Sequence, residues 1–481
     1  MMSPTKNPMT AMRLSFAAVL TLCFAGCALT VLPSRVDALS APQWNAPLPH
    51  HGSLQDLTHW WQQQGDALLV DLVEAGQRVS PTIAAAATRI AQARATNIGA
   101  GAALLPKLDA TASANRSSAQ LGTPAGTTVQ TGLQTAWEID LFGANRRTRN
   151  RTEALLDGAQ AGWHDARVAV AADIANQYYG LRACQQLLEV SQADAASRAE
   201  TARLSELSAQ AGFTAPATAA LARASTAESN ARLLQQRAAC DVDIKALVAL
   251  TDIAEAVLRQ RLTPSNSPTL ATLMPAGAPV PVPSVPAQLL RQRPDLYAAE
   301  REVAAASAAV GSTEAQRYPR LSLSGQIAAG RFNGGGVSTN ATTWTIGPLA
   351  LSLPIFDGGT RAANVTAARA SYDEAVIVYR AKVRQAVREV EEALVNLAST
   401  QARSDAAQQA VAGYRASFEG TQSRYQSGLA SLVELEDARR LRLNAEIALI
   451  TLQQQRSAAW IGLYRAVGGG WQADNAAANV Y

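Results

Sequence analysis

From Val129 to Leu141 the odd positions read Val129, Thr131, Leu133, Thr135, Trp137, Ile139 and Leu141, and the even ones Gln130, Gly132, Gln134, Ala136, Glu138 and Asp140. A period of two predicts a strand with one greasy and one wet face. The segment before it alternates more weakly, with Leu108, Ala110, Ala112 and Ala114 against Asp109, Thr111, Ser113 and Asn115. Two later segments repeat the pattern: Leu321, Leu323 and Ile327 against Ser322, Ser324 and Gln326, then Leu349, Leu351, Leu353 and Ile355 against Ala350, Ser352 and Pro354. Polar, Gly-rich stretches, Ser117 to Thr128 and Asn333 to Thr342, join each pair as a long hairpin. Strand lengths of roughly 10 to 13 residues suit a tilted membrane barrel. Trp137, Trp344, Phe142 and Phe356 are candidates for interfacial aromatics or for ordinary buried ones. The alternative, a soluble sandwich, asks the wet face to pack against a second core, for which it is too polar. Four strands cannot close a barrel, and open edges in lipid leave backbone groups unpaired, so a membrane reading requires several chains to share one barrel.

Elsewhere the chain reads as helix. Ala144 to about Gln210 holds almost no breaker beyond isolated Gly, and about 65 residues at 1.5 Å each make a rod of roughly 100 Å. The segments Pro81 to Leu104 and Ala217 to about Arg259 together span a similar length, so two short helices stacked end to end can flank one long one. Arg361 to about Gln426 and Ser431 to about Val467 follow the same plan, and Ala166, Ala169, Ala171, Ala172 and Ala175 suit close helix packing. A soluble helical bundle is the alternative, and it leaves the strands and the N-terminus unexplained.

The plan occurs twice. The offset that lays Pro81 over Pro294 also lays Pro106 over Pro319, with no insertion between them. Leu141-Phe142-Gly143 answers to Ile355-Phe356-Asp357-Gly358, and Ala211-Gly212-Phe213 to Ser427-Gly428-Leu429. Between the copies, seven prolines from Pro264 to Pro286 exclude helix and central strand. The expected division is a signal peptide at 1–26, a lipidated linker at 27–65, repeat 1 at 66–261, a Pro-rich strap at 262–287, repeat 2 at 288–467 and a tail at 468–481.

Composition narrows the function. Of 481 residues 48% are hydrophobic but 5% aromatic, and Ala dominates the apolar count, so no large conventional core is expected. Lys and Arg number 42 against 38 Asp and Glu, too balanced for nucleic acid as a partner. Four His without ligand spacing argue against a metal, a cofactor or His-based catalysis. Lys6 and Arg13 precede an apolar run from Leu14 to Leu22 and then Phe24-Ala25-Gly26-Cys27, the layout of a secretory signal. The Ala-Gly-Cys ending resembles a bacterial lipoprotein box, which makes Cys27 the expected lipidation site; a plain cleaved signal with an incidental Cys is the alternative. No other stretch has about 18 continuous apolar residues, so no helical span is expected after processing.

Gly212 and Gly428 mark turns at the strand-distal helix ends, where Gly permits a left-handed stop and Ser431 can cap the next helix. Glu434 and Asp437 then share one face of that helix at i and i+3. They serve either a site of their own or the positive end of the helix dipole. The run Tyr425 to Arg440, the exit Leu353-Pro354-Ile355-Phe356-Asp357-Gly358-Gly359, the lipoprotein box and the duplication together resemble the TolC-type outer-membrane factors, in their lipoprotein branch. The resemblance covers nearly all of the mature chain. It implies a mostly α fold with membrane β: a homotrimer sharing one twelve-stranded outer-membrane barrel, four strands per chain, continued by a periplasmic helical barrel. It further implies a non-enzymatic exit duct, docked to a periplasmic membrane-fusion adaptor and an inner-membrane transporter, here of the resistance-nodulation-division type. Drug or small-molecule efflux is the favoured function; type I protein secretion and a lipid-anchored scaffold without a pore are the alternatives. By the same resemblance Glu434 and Asp437 form an acidic ring at the gate, and Gly212, Phe213, Gly428 and Leu429 dock the adaptor; six like charges at a closed tip call for nearby arginines, of which Arg424 is a candidate.

Cys184 and Cys240 lie equally far from Gly212 along the chain, one before it and one after. Helices folding back at that Gly bring the thiols level in an oxidising compartment, so a Cys184–Cys240 disulfide is expected, against the alternative of two separately buried thiols.

Overall fold

The computed structural model describes residues 32–37, 44–46, 60–63, 65–118, 125–263 and 292–471; Cys27, the signal segment and nearly all of the Pro-rich strap lie outside them. In chain order the elements are α1 (Trp60–Gln63), α2 (Ala67–Val79), α3 (Pro81–Ala102), β1 (Lys107–Ser117), β2 (Gly126–Ile139), α4 (Ala144–Gln210), α5 (Pro216–Thr251), α6 (Glu255–Arg261), α7 (Pro294–Ala315), β3 (Arg320–Gly334), β4 (Val337–Ser352), α8 (Thr360–Gln426) and α9 (Leu432–Ala466). They fall into two compact units, 1–36 with 93–156 and 300–377, and 37–92 with 157–299 and 378–481. Each unit draws on both sequence repeats, and α4 and α8 contribute to both.

The first unit holds one antiparallel sheet of order β1-β2-β3-β4, leaving β1 and β4 as edges. Its register lines up the faces that alternation predicts. Leu108 pairs with Thr135, Ala110 with Leu133, Ile327 with Leu133 and Leu323 with Trp137, so the greasy positions form one continuous face. Asp109 and Gln134, Gln134 and Gln326, and Glu138 and Ser322 pair on the other. Between β3 and β4 the register slips: Leu323 faces Leu349 but Gly325 faces Ile346, two residues against three. The extra residue is a bulge around Gly347 and Pro348, where the Ser324 hydroxyl donates to the Gly347 carbonyl at 3.2 Å. Below the bulge the odd residues Leu349 and Leu351 share the greasy face, and above it the even residues Trp344 and Ile346 do.

The hairpins correct one expectation. The second connection is not a long loop from Asn333 to Thr342: β3 runs to Gly334, β4 starts at Val337, and the turn between them is Gly335-Gly336, both with positive φ. Extra ladder residues drawn from a Gly- and Thr-rich stretch read as loop because they lack alternation. Trp344 pairs with Ile327, the middle residue of β3, so it sits in mid-sheet and not at a rim. Trp137 is closer to the helices and donates its indole N–H to the Leu104 carbonyl at 3.0 Å.

Each long helix starts on an aspartate. Asp140 accepts from the N–H groups of Asn145 (3.2 Å) and Arg146 (2.9 Å), and Asp357 from those of Gly359 (3.0 Å) and Arg361 (3.1 Å). The acid stands before the Leu-Phe-Gly turn in one copy and inside the matching turn of the other, which hid the equivalence.

The second unit corrects the expectation of no conventional core. Its few bulky side chains are concentrated: Trp60, Leu69, Leu72, Ile174, Tyr178, Leu247, Leu394, Ile461 and Tyr464 are buried in one cluster. Trp60 stacks on Tyr464 at 4.8 Å, and Asp66 both caps α2 through the Leu68 N–H (3.0 Å) and accepts from the Tyr178 hydroxyl. The helix expected from Ala217 to Arg259 is broken: Asp252 takes a left-handed φ of 56° as the C-cap of α5, and α6 starts at Glu255. Cys184 and Cys240 are joined, with Cα atoms 5.6 Å apart, tying α4 to α5.

Candidate functional site

The two strand-distal turns are built alike. In the first, the Phe213 N–H bonds back to the Ser208 carbonyl (2.9 Å) and the Gly212 N–H to Ala209 (3.0 Å); in the second, Leu429 bonds to Arg424 (2.8 Å) and Gly428 to Tyr425 (3.0 Å). Both are Schellman stops, with Gly212 and Gly428 at φ of 79° and 72°, values a side chain resists. The apolar residue after such a stop usually packs back on its own helix. Phe213 and Leu429 instead stand 84% and 69% exposed.

Helix α9 begins with a complete capping box, the Ser431 hydroxyl accepting from the Glu434 N–H at 3.2 Å while the Glu434 carboxylate accepts from the Ser431 N–H at 3.4 Å. Part of the reason for an acid at 434 is therefore local. Glu434 and Asp437 lie on one exposed face, their side chains 55% and 53% accessible, beside Arg424 (3.9 Å from Glu434) and Arg440 (paired with Asp437). Arg424 makes its shorter contact with the Leu429 carbonyl, 3.1 Å, across the turn.

The opposite face of the same helix carries groups that spacing alone does not reveal. Glu436 binds Arg198 of α4 and Arg439, and accepts from the Ser225 hydroxyl at 2.9 Å. Arg198 also pairs with Asp194 at 2.9 Å. Arg439 is fully buried, donating to Ser197 (3.1 Å) and Thr201 (3.0 Å); burial pulls its pKa down while the Glu436 carboxylate pulls it up. Asp194 and Glu436 thus face Arg198 and Arg439 between α4 and α9, with Arg232 of α5 3.8 Å from Asp194, next to a small apolar cluster of Phe418, Leu432 and Leu435. The rule that levels the cysteines finds part of this: Arg198 and Thr226 are likewise equidistant from Gly212, and the Thr226 hydroxyl bonds to the Arg198 carbonyl at 3.0 Å.

Among the described residues no group of His, Cys, Asp and Glu is placed to hold a metal ion. A sheet with one apolar and one wet face, open at both edges and continued by helices of 67 residues, defines a membrane β-channel with a helical extension. A family model described as outer membrane efflux protein matches residues 73–252 and 285–469, and the chain belongs to that family. Nodulation protein T of Rhizobium leguminosarum bv. viciae is 30% identical over 87% of this chain and 85% of its own length. The toluene efflux pump outer membrane protein TtgI of Pseudomonas putida is also 30% identical, over 84% and 86%. The solved outer-membrane channel OprN superposes with a TM-score of 0.79 at 27% identity, covering 92% of this chain and all of that one. The protein is an outer-membrane efflux channel with a large periplasmic helical part, and it is not an enzyme.

Proposed function

We propose that three copies close one twelve-stranded barrel and that the channel serves a tripartite pump for small molecules, with a periplasmic adaptor and an inner-membrane transporter of the resistance-nodulation-division type. The observation that carries this is the sheet: an apolar face suits lipid, yet its two open edges are untenable there unless β1 of one copy pairs with β4 of the next. Toluene as the cargo of a relative favours small molecules over secreted protein.

In this reading Cys27 carries the lipid. Its support is a matter of reach. Leu32 and Pro33 are pinned by their carbonyls to Ser307 (2.7 Å) and the Tyr372 hydroxyl (3.0 Å). Tyr372 lies just over three turns into α8, about 18 Å from its start, and the chain from Cys27 to Leu32 spans up to about 17 Å. A fully extended segment from Cys27 to Leu32, with an acyl group added, is long enough to reach the level where strands give way to helices.

Phe213 and Leu429, held out by Gly212 and Gly428, offer the adaptor exposed apolar contacts at the helix tips. Glu434 and Asp437 from three copies supply six carboxylates at a closed gate, where like charges repel and attract cations. Opening is a rigid shift of the tip helices, favoured by an adaptor that binds the open state more tightly. The test is single-channel conductance of the purified protein in planar bilayers. Channels blocked by divalent cations are expected, and E434Q/D437N should relieve the block; conductance and block unchanged by the double variant would refute the acidic gate, and an absence of channels would refute the pore.

A further inference from the structure

The lipid-facing surface of the sheet contains two charges, and both are arginines at the end far from the helices. The register puts Arg116 opposite Thr127 and Arg331 opposite Val129, on the face that carries Leu133, Trp137, Ile327 and Trp344. Along β3 that face reads Leu321, Leu323, Gly325, Ile327, Ala329, Arg331. From Leu321 to Arg331 the strand advances about 33 Å along its axis and about 25 Å along the membrane normal at a tilt near 40°. That is the height of the apolar band of an outer-membrane barrel, so the guanidinium sits at the outer headgroups and not in hydrocarbon. Both side chains are exposed, neither has an acidic partner among the described residues, and Arg331 donates to the Ser338 hydroxyl at 3.1 Å. Asn333, Ser338, Asn340 and Thr127 share the face and the rim. Just below, the small side chains of Ala112, Ala114 and Ala329 border a shallow depression of about 700 Å³ that ends at Arg331.

We propose that this rim binds a phosphorylated glycolipid of the outer leaflet, with one phosphate on each arginine, the sugar hydroxyls on the amides and hydroxyls between them, and acyl chains over the alanines. Two strand spacings and a two-residue stagger separate the arginine Cα atoms by about 12 Å, the scale of a disaccharide with a phosphate at either end. A lone phospholipid phosphate leaves one guanidinium and the amide groups unused. The proposal rests on the membrane-facing reading of the sheet.

The experiment is native mass spectrometry of the detergent-extracted oligomer titrated with bisphosphorylated lipid A, dephosphorylated lipid A and phosphatidylglycerol. Bisphosphorylated lipid A should be retained in preference to both others, R116Q/R331Q should bind it roughly 30-fold more weakly, and R116K/R331K should keep most of the binding. Equal retention of phosphatidylglycerol, or binding unaffected by the glutamine substitutions, overturns the proposal. Bilayer conductance separates the two failures: a wild-type protein that conducts but ignores the lipid loses this site alone, whereas one that never conducts loses the pore as well.

Discussion

At Glu436 the tip depends on a single carboxylate that answers to two guanidiniums, one of them fully buried. Removing one partner of such a set leaves charge without compensation, typically about 3 kcal/mol or more. E436Q is therefore expected to loosen the contact of α9 with α4 and α5, read as faster hydrogen exchange in residues 190–202 and 432–442 with the rest of the chain unchanged. R439M should do less, since its aliphatic chain fills the same space beside Phe418. Unaltered exchange in E436Q would show that this network does not hold the tip. That Glu434 and Asp437 share a face was legible in the sequence, because both lie one helical turn apart on the same element. Glu436 stands between them and was not, because its partners Arg198 and Ser225 belong to α4 and α5, in the other repeat of the chain.

Among elements, the long helices were the most legible, since Pro, Gly and the absence of breakers delimit them: the expected Ala144 to Gln210 is α4 itself. The break at Asp252 was hidden because Thr251, Asp252 and Ile253 carry neither Gly nor Pro; an aspartate supplies the left-handed residue instead. The hairpin of α4 and α5 differs from that of α8 and α9 by its covalent tie. Closing a loop over a sequence separation of 56 residues contributes about 4 kcal/mol in the chain-entropy model. Reductant should lower the melting temperature of the wild type and leave C184S/C240S, already lowered, unmoved. A double variant as stable as the oxidised protein would show that helix packing alone suffices.

On the scale of the molecule, composition predicted too little core and was right only in part. Bulky residues such as Trp60, Tyr178, Leu247 and Tyr464 meet in one buried cluster, while the sheet turns apolar side chains such as Leu133, Ile327 and Trp344 outward. Strand faces were legible from alternation, and four strands too few to close a barrel already implied open edges; the order of strands, and so which two are the edges, was not legible, because pairing across repeats leaves no local signal. Those edges lead to a plain expectation. Unheated samples in mild detergent should migrate near three times the chain mass of 50.5 kDa, and boiled ones as single chains. A protein that stays monomeric under both conditions contradicts barrel sharing.

The bulge at Gly347 and Pro348 has a further consequence. A strand written in a two-letter rhythm has a reading frame, and β4 changes frame once, at that point. A one-residue deletion anywhere else in β4 would turn Trp344 and Ile346, or Leu349 and Leu351, into the water-filled bore. The same deletion at Gly347 or Pro348 would leave Ile346 and Leu349 two residues apart and in step, so both halves would keep their lipid face and pair with β3 without a bulge. The extra residue thus works as a frame correction, and it lets a strand of mismatched halves present one surface to the membrane.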